Sequence, residues 1–331
     1  MLFQIYGEHS FYQLLGWVLV FVGLIVLNEI ARRSKAGGIA LFLAVPAALS
    51  VYFIVVAVAA KNGAEWAVNN QTYLYMNGWF HYAKLYAATA GCIGFMMLKY
   101  KWSIGKKEWF KVFPFVIVAI NILIAVASDF ESAIKGGFTG GWWLSSKGVY
   151  IYAGWWGIYS SKNQQDMLWP DMTWCYILAY DVWNFEYTYL NLPSHSWYCG
   201  LALLLAPTFA NAFWNKGGWI QNRANTLAIW CMFAQVFPLF QDTEPFGVLT
   251  TVYPEGYTPS MMMDGIAPTS ANPKAQAVIS ILAIAINVCV FAAIVKRSKA
   301  QHKNPYKNEI FTDQKDYKAA LERAAEAHKV A

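Results

Sequence analysis

The chain has 331 residues, 57% hydrophobic and only 13% charged, with a formal net charge of +6. Soluble domains carry about a quarter of their residues as charges, so this composition excludes an ordinary soluble globule. A 17% aromatic content with 16 Trp points instead to a multi-pass membrane protein with interfacial aromatic belts. The basic residues flank apolar segments, which is inner-loop placement and not a nucleic-acid surface.

The first apolar run, 11–29, has no basic segment before it and is followed by Arg32, Arg33 and Lys35. That is the pattern of an uncleaved first helix with its N-terminus outside. Crossing a hydrocarbon core of about 30 Å takes roughly 20 helical residues. Eight segments meet this, near 11–29, 39–60, 78–98, 112–128, 172–190, 196–214, 225–240 and 277–295. A ninth, 140–161, is aromatic and Gly-rich and contains Lys147. With eight spans, outer loops hold about 15 of the 25 basic residues. With nine, the count becomes about 20 inside against three outside (Lys61, Lys135, Lys274), with Lys84 and Lys147 within spans. The expected fold is therefore an all-α polytopic bundle of nine spans, eight if 140–161 is reentrant. Residues 1–296 form the transmembrane domain, and 297–331 a cytoplasmic basic tail. The acidic 241–276 loop is then outside, as is the Asn70-Gln71-Thr72 sequon. The stretch 312–329 reads as a short solvated helix. The expected localisation is the cell inner (plasma) membrane, with lipid as partner.

Span 172–190 is the unusual one, because it carries Asp181, Asn184 and Glu186. A carboxylate at mid-membrane costs roughly 2.5–3.5 kcal/mol on insertion scales, so it should be protonated, hydrated or paired. At about 100° per residue, Tyr180, Asp181, Asn184, Thr188 and Asn191 share one face, with Glu186 roughly 140° from Asp181. The two acids are not a matched glycosidase-type dyad. His81, Lys84, Lys147 and His195 fall at similar depth in the outer half. Three readings compete for this layer. The first is packing pairs, Lys147–Asp181 or Lys84–Glu186. The second is a ligand site in a cavity open to the outside. The third is a catalytic or metal site on His81, His195 and a carboxylate. No HxxxH or HExxH spacing supports metal, and none is expected; nor is any cofactor.

Asn121, Asn211, Asn225, Gln235 and Asn287 lie within or near span ends, and Pro207 and Pro238 within expected helices, which suits kinked spans around water. Trp142, Trp143, Trp155 and Trp156 read as belt residues. Trp174, Tyr176, Tyr180, Trp183, Tyr187 and Tyr189 run along one helix and could wall a ligand. Cys92, Cys175, Cys199, Cys231 and Cys289 read as small core residues. Corresponding spans share no motif, so no inverted repeat is indicated.

The stretch DMLWPDMTWCYILAYDVWNFEYTYLNLPSHSWYCGLALLLAPTFANAFW resembles an uncharacterised family of bacterial multi-pass membrane proteins. The resemblance covers most of the chain and implies no activity and no functional residue. The last span has no Lys for a retinal Schiff base, and no P-loop or nucleophile elbow is present. The expected function is transport or binding of a small polar or cationic organic molecule at Asp181. Asn184 and Tyr180 would orient the ligand, and Glu186, Lys84 and Lys147 would tune the site. Proton coupling is a natural extension for a carboxyl in an apolar setting. The alternatives are a membrane-embedded enzyme acting on a lipid or isoprenoid, with His81 or His195 as acid/base, and a scaffold subunit.

Overall fold

Caps and prolines delimit the helices of the computed structural model, which describes residues 2–5, 7–134, 157–266 and 272–325, without the side chains of 128–134 and 273. Helix α1 (Ser10–Arg33) stops at Ser34, whose extended backbone and side chain, accepting from Gly37 N at 3.1 Å, start the next run. That run, α2 (Lys35–Lys61), opens into a π-helical turn at Ala40–Ala44 just ahead of Pro46. Proline has no N–H and its ring crowds the preceding turn, which the wider turn accommodates. Helices α3 (Trp79–Lys99) and α4 (Val112–Ile134) follow. A two-stranded antiparallel hairpin, β1 (Tyr159–Ser160) and β2 (Met167–Leu168), pairs Tyr159 with Leu168. Helix α5 (Trp174–Asn191) ends before Pro193, and a π-helical turn, Ser196–Ala202, leads into α6 (Leu203–Phe213). Helix α7 (Trp219–Val236) ends just before Pro238. Asn272 caps α8 (Pro273–Gln301) by accepting from Lys274 N and Ala275 N, both at 3.2 Å, with Pro273 at the first helical position. A short helix, α9 (Lys315–Glu322), lies in the tail.

The protein is thus a helical membrane protein. Four helical runs, Gly7–Arg33, Lys35–Lys61, Glu108–Ala127 and Lys274–Gln301, are long and apolar enough to cross a bilayer. The remaining long helices are less apolar for a physical reason. Thirteen of the eighteen residues of α7 are buried, and twelve of the eighteen of α5, against six of twenty-four in α1. Helices enclosed by protein can carry polar side chains that lipid-facing helices cannot.

Eight of the nine expected segments are helical. Most of the ninth, with Lys147 and the Trp142–Trp156 belt residues, lies outside the described residues. Its C-terminal end departs from expectation: Tyr159 and Ser160 form β1, because their backbones pair with Leu168 and Met167. Pro238 also departs. It follows α7 and does not kink it, and the freed Gln235 carbonyl accepts from Thr72 Oγ1 at 2.8 Å.

The two ends of the bundle differ. At one, Phe3 bridges to Thr250, so the N-terminus lies beside the 241–276 loop. The other end holds the hairpin and the tail. There Asp166, fully buried, accepts from Arg32 Nη1 at 3.0 Å, Gln221 Nε2 at 3.1 Å and Asn215 Nδ2 at 3.3 Å, and also from Arg323 Nη2. Lys99 Nζ donates to the carbonyls of Arg32 and Gln165, both at 3.1 Å. An amide chain continues inward from Asn215 through Asn222 and Asn28 to Asn225.

The tail is docked, unlike the solvated helix expected. Tyr317 and Ala320 are buried, and Gly217, at φ +80°, leaves room for Ala320 where a Cβ would collide. Asp171 Oδ1 accepts from Ile310 N at 3.0 Å and Phe311 N at 2.8 Å. Burial pushes the Asp171 carboxyl up to about 7, the two amide donors opposing and Glu309 adding to the rise. Glu309 is raised too, mainly by burial, with the neighbouring Tyr317, Lys303 and Tyr159 opposing the rise.

Two outcomes follow from these contacts. Asp166→Ala takes the shared carboxylate from the buried Arg32 and the half-buried Arg323 and is expected to cost roughly 3–5 kcal/mol, read as a fall in melting temperature in detergent; an unchanged melt would refute the role given to Asp166. For Asp171 the docked carboxyl binds its proton more tightly than a free one, so docking is fully supported below the free value near 3.8 and weakens as pH rises through about 7. A spin label at position 318 should therefore gain mobility as pH rises from about 4 to about 7, levelling off above that, and Asp171→Asn should flatten that response.

Candidate functional site

A cavity of roughly 860 Å³, counting its open mouth, lies between α3, α5 and α7. Helix α5 supplies an aromatic ladder. Tyr180, Trp183 and Tyr187 follow one another at i, i+3 and i+7, with ring centroids 5.5 and 6.1 Å apart. This spacing keeps them on one helical stripe, and Asn184 and Thr188 sit beside them on the same wall. Helix α3 contributes Phe80, His81 and Lys84, one turn apart. Lys84 Nζ donates to the Asn121 carbonyl at 3.0 Å. Helix α7 contributes Arg223, Leu227, Trp230, Cys231 and Ala234, an i, i+4, i+7, i+8, i+11 row.

Arg223 is 4% exposed. Its Nη2 donates to Asn184 Oδ1 at 3.2 Å, and its guanidinium carbon lies 5.8 Å from the Tyr180 ring centroid. Its Nε and Nη1 have no hydrogen-bond partner among the described residues. Because Gln221 and Asn222 belong to the Asp166 network, Arg223 sits directly above that network, at the cavity floor. The opposite end is walled by Met76, His195, Gln235 and Gln241. Burial opposes a charge on His195, but Asp242, with Oδ1 2.7 Å from its Nε2, outweighs burial and raises its pKa.

Of the residues expected at a site, His81, Lys84, Tyr180, Asn184 and His195 converge on this cavity. Asp181 does not line it. The wall stripe centres between Tyr180 and Tyr187, and Asp181 points about 90° round the helix, toward α6, where Thr208 Oγ1 donates to its Oδ2 at 2.6 Å. Trp219 Nε1 in turn donates to Thr208 at 2.9 Å. Glu186 is fully buried on the far side of α5, away from the wall. Lys147 lies outside the described residues. Of the ladder, Trp174 is 55% exposed, and Tyr189 is turned to the N-terminus, its hydroxyl donating to Leu2 O at 2.6 Å. Asn121 and Gln235 line the cavity, whereas Asn211, Asn225 and Asn287 fasten backbone or neighbouring helices.

Arg223 was the residue sequence reasoning placed elsewhere, in a loop before a span starting at 225. Helix α7 begins at Trp219, and the row from Arg223 to Ala234 at helical spacing was the available signal. No group of three or more His, Cys, Asp or Glu suited to metal occurs among the described residues. All five cysteines are free.

Fold and cavity together define a helical membrane protein with a partly polar cavity between its inner helices. The chain belongs to DUF5692, a family of unknown function, whose model matches residues 7–323. No curated protein and no solved structure matches it significantly.

Cys231 on the wall reports on the cavity. Asp181→Asn is expected to leave the reaction rate of Cys231 with a small neutral thiol reagent unchanged, since Asp181 faces α6; a large change would place Asp181 in the site after all.

Proposed function

We propose that the protein binds a small polar organic molecule in this cavity and carries it across the inner (plasma) membrane. The observation that supports the reading best is the cavity itself. Inner helices enclose a space walled by aromatic rings and a few convergent polar groups, including a buried guanidinium. This is the usual make-up of a ligand site, and ionisable groups at membrane depth are expensive enough to be kept for a use.

The topology we favour has nine spans, the N-terminus and the 241–276 loop outside, and the tail in the cytoplasm. Two features support it. Lys35 beside Tyr100 and Trp102, Lys162 beside Arg323 and Lys216 beside Asp316 all gather at the tail end, as the positive-inside rule asks. Further, α4 starts at that end, with Lys111 over the Tyr159 ring, and its 23 residues extend roughly 34 Å away at 1.5 Å each. The chain is back beside Lys111 at Tyr159, which fits a further crossing between 134 and 157.

Access can be tested without knowing the ligand. In a variant whose only cysteine is Cys231, 2-hydroxyethyl methanethiosulfonate added from outside should modify the thiol. Ala234→Trp, which fills the wall between Cys231 and the mouth, should slow the reaction by about tenfold, equivalent to about 1.4 kcal/mol of barrier. A folded protein whose Cys231 does not react has no open cavity, and the reading falls.

A further inference from the structure

We propose that the Arg223 end of the cavity is a seat for an oxoanion, so that the ligand carries a carboxylate or similar anionic group and not the cationic one first expected. The inference rests on the cavity being a ligand site and adds the sign of the charge it takes.

Four observations carry it. First, among the described residues no Asp or Glu lies on the cavity wall, whereas Arg223, Lys84, His81 and His195 do. The acid nearest the mouth, Asp242, faces His195. Second, Arg223 is buried and within 4 Å of no carboxylate among the described residues. It contacts the neutral Asn184 oxygen and the face of Tyr180. Asp181 feels the charge of Arg223, but its Oδ2 is held by Thr208 on the α6 side. Third, the unpartnered polar atoms on this wall are mostly donors. Among the described residues they are Nε and Nη1 of Arg223 and Nε1 of Trp183, against one acceptor, Asn121 Oδ1, and His81 Nδ1, which can act as either. A cationic ligand would bring more donors to donors; an oxoanion brings acceptors. Fourth, the position is fixed. Gln221 and Asn222 tie this turn of α7 to Asp166 and Asn28, and Asn184 holds one guanidinium nitrogen. The guanidinium is thus held in place before a ligand arrives, and arginine recognises planar oxoanions better than a point charge would. The aromatic ladder above it would lie along the rest of the molecule.

The test uses charge-matched reagents on the single-cysteine Cys231 protein. Sulfonatoethyl methanethiosulfonate carries an organic oxoanion, and its trimethylammonioethyl counterpart a cation of similar size. Each is attacked by the Cys231 thiolate, which forms a mixed disulfide and releases methanesulfinate. Rates are divided by those with free 2-mercaptoethanol to remove intrinsic reactivity. The expected result is an anion-to-cation rate ratio above the free-thiol ratio by about tenfold, equal to about 1.4 kcal/mol. Arg223→Gln should remove most of this preference, and Arg223→Lys, which keeps the charge, should retain most of it. If Arg223→Gln does not fold, the wild-type ratio alone decides. A ratio equal to that of the free thiol, or one favouring the cation, overturns the oxoanion seat while leaving the cavity standing. Reaction with the neutral reagent and neither charged one also overturns it. Failure of all three reagents overturns the cavity and the seat together.

Discussion

The carboxylate of Asp166 is the point through which the tail end of the bundle is assembled. It sits in the short hairpin between the membrane helices, fully buried, and draws on α1 through Arg32, the α6–α7 turn through Asn215, α7 through Gln221 and the tail through Arg323. A charge taken out of water is tolerated only when its lone pairs are met, and here they are met by groups from four separate parts of the chain. No one of those parts could supply the network alone, so the network specifies how they come together. Its consequence for the site is direct: Gln221 and Asn222 are held by it, and the next residue is Arg223.

The division of labour between rim and interior explains how such a protein tolerates so much buried polarity. Helices α1, α2, α4 and α8 present Leu, Val and Ile outward. Behind them, α5 and α7 face almost only protein. Amides that would be costly in lipid instead join helices there, as Asn287 does by donating to the Ala179 carbonyl at 3.2 Å. The cavity is where this internal polarity is not used up by packing. Along α7 the Gln221, Asn222 and Asn225 side chains each hydrogen-bond to another element, whereas the Arg223 row lines the cavity.

How much of this could be read from the residues depended on whether a feature is local to one helix. The aromatic stripe Tyr180, Trp183, Tyr187 was legible, because i, i+3, i+7 spacing fixes a face whatever the neighbours. So were His81 and Lys84, one turn apart at a helix start. Asp181 was legible as a costly residue, but a helical wheel does not say which neighbour a face meets, and α6 took that face through Thr208. Arg223 was hidden by hydropathy. Helix α7 is enclosed and polar in its first two turns, so a search for apolar runs starts the span after the arginine. The Asp166 and Asp171 contacts were illegible, since both acids lie in irregular backbone and find partners more than a hundred residues away in Arg32, Arg323 and Ile310.

The same network that places Arg223 also closes the floor beneath it. From the end at Met76, His195 and Gln241, the cavity extends to the guanidinium, and beyond it lie Asn28, Asn222, Asn215, Asp166 and Gln221, each hydrogen-bonded to the next in that order. The network thus lies between the Arg223 end of the cavity and the docked tail. On the transport reading proposed above, carriage to the tail end would need the Asp166 contacts to separate, and Arg323, which makes one of them, belongs to the tail and also holds the α6–α7 turn through the Lys216 carbonyl. On that reading the barrier to passage and the docking of the tail are one set of interactions. A change that loosens the tail acts on the floor of the site without touching its wall.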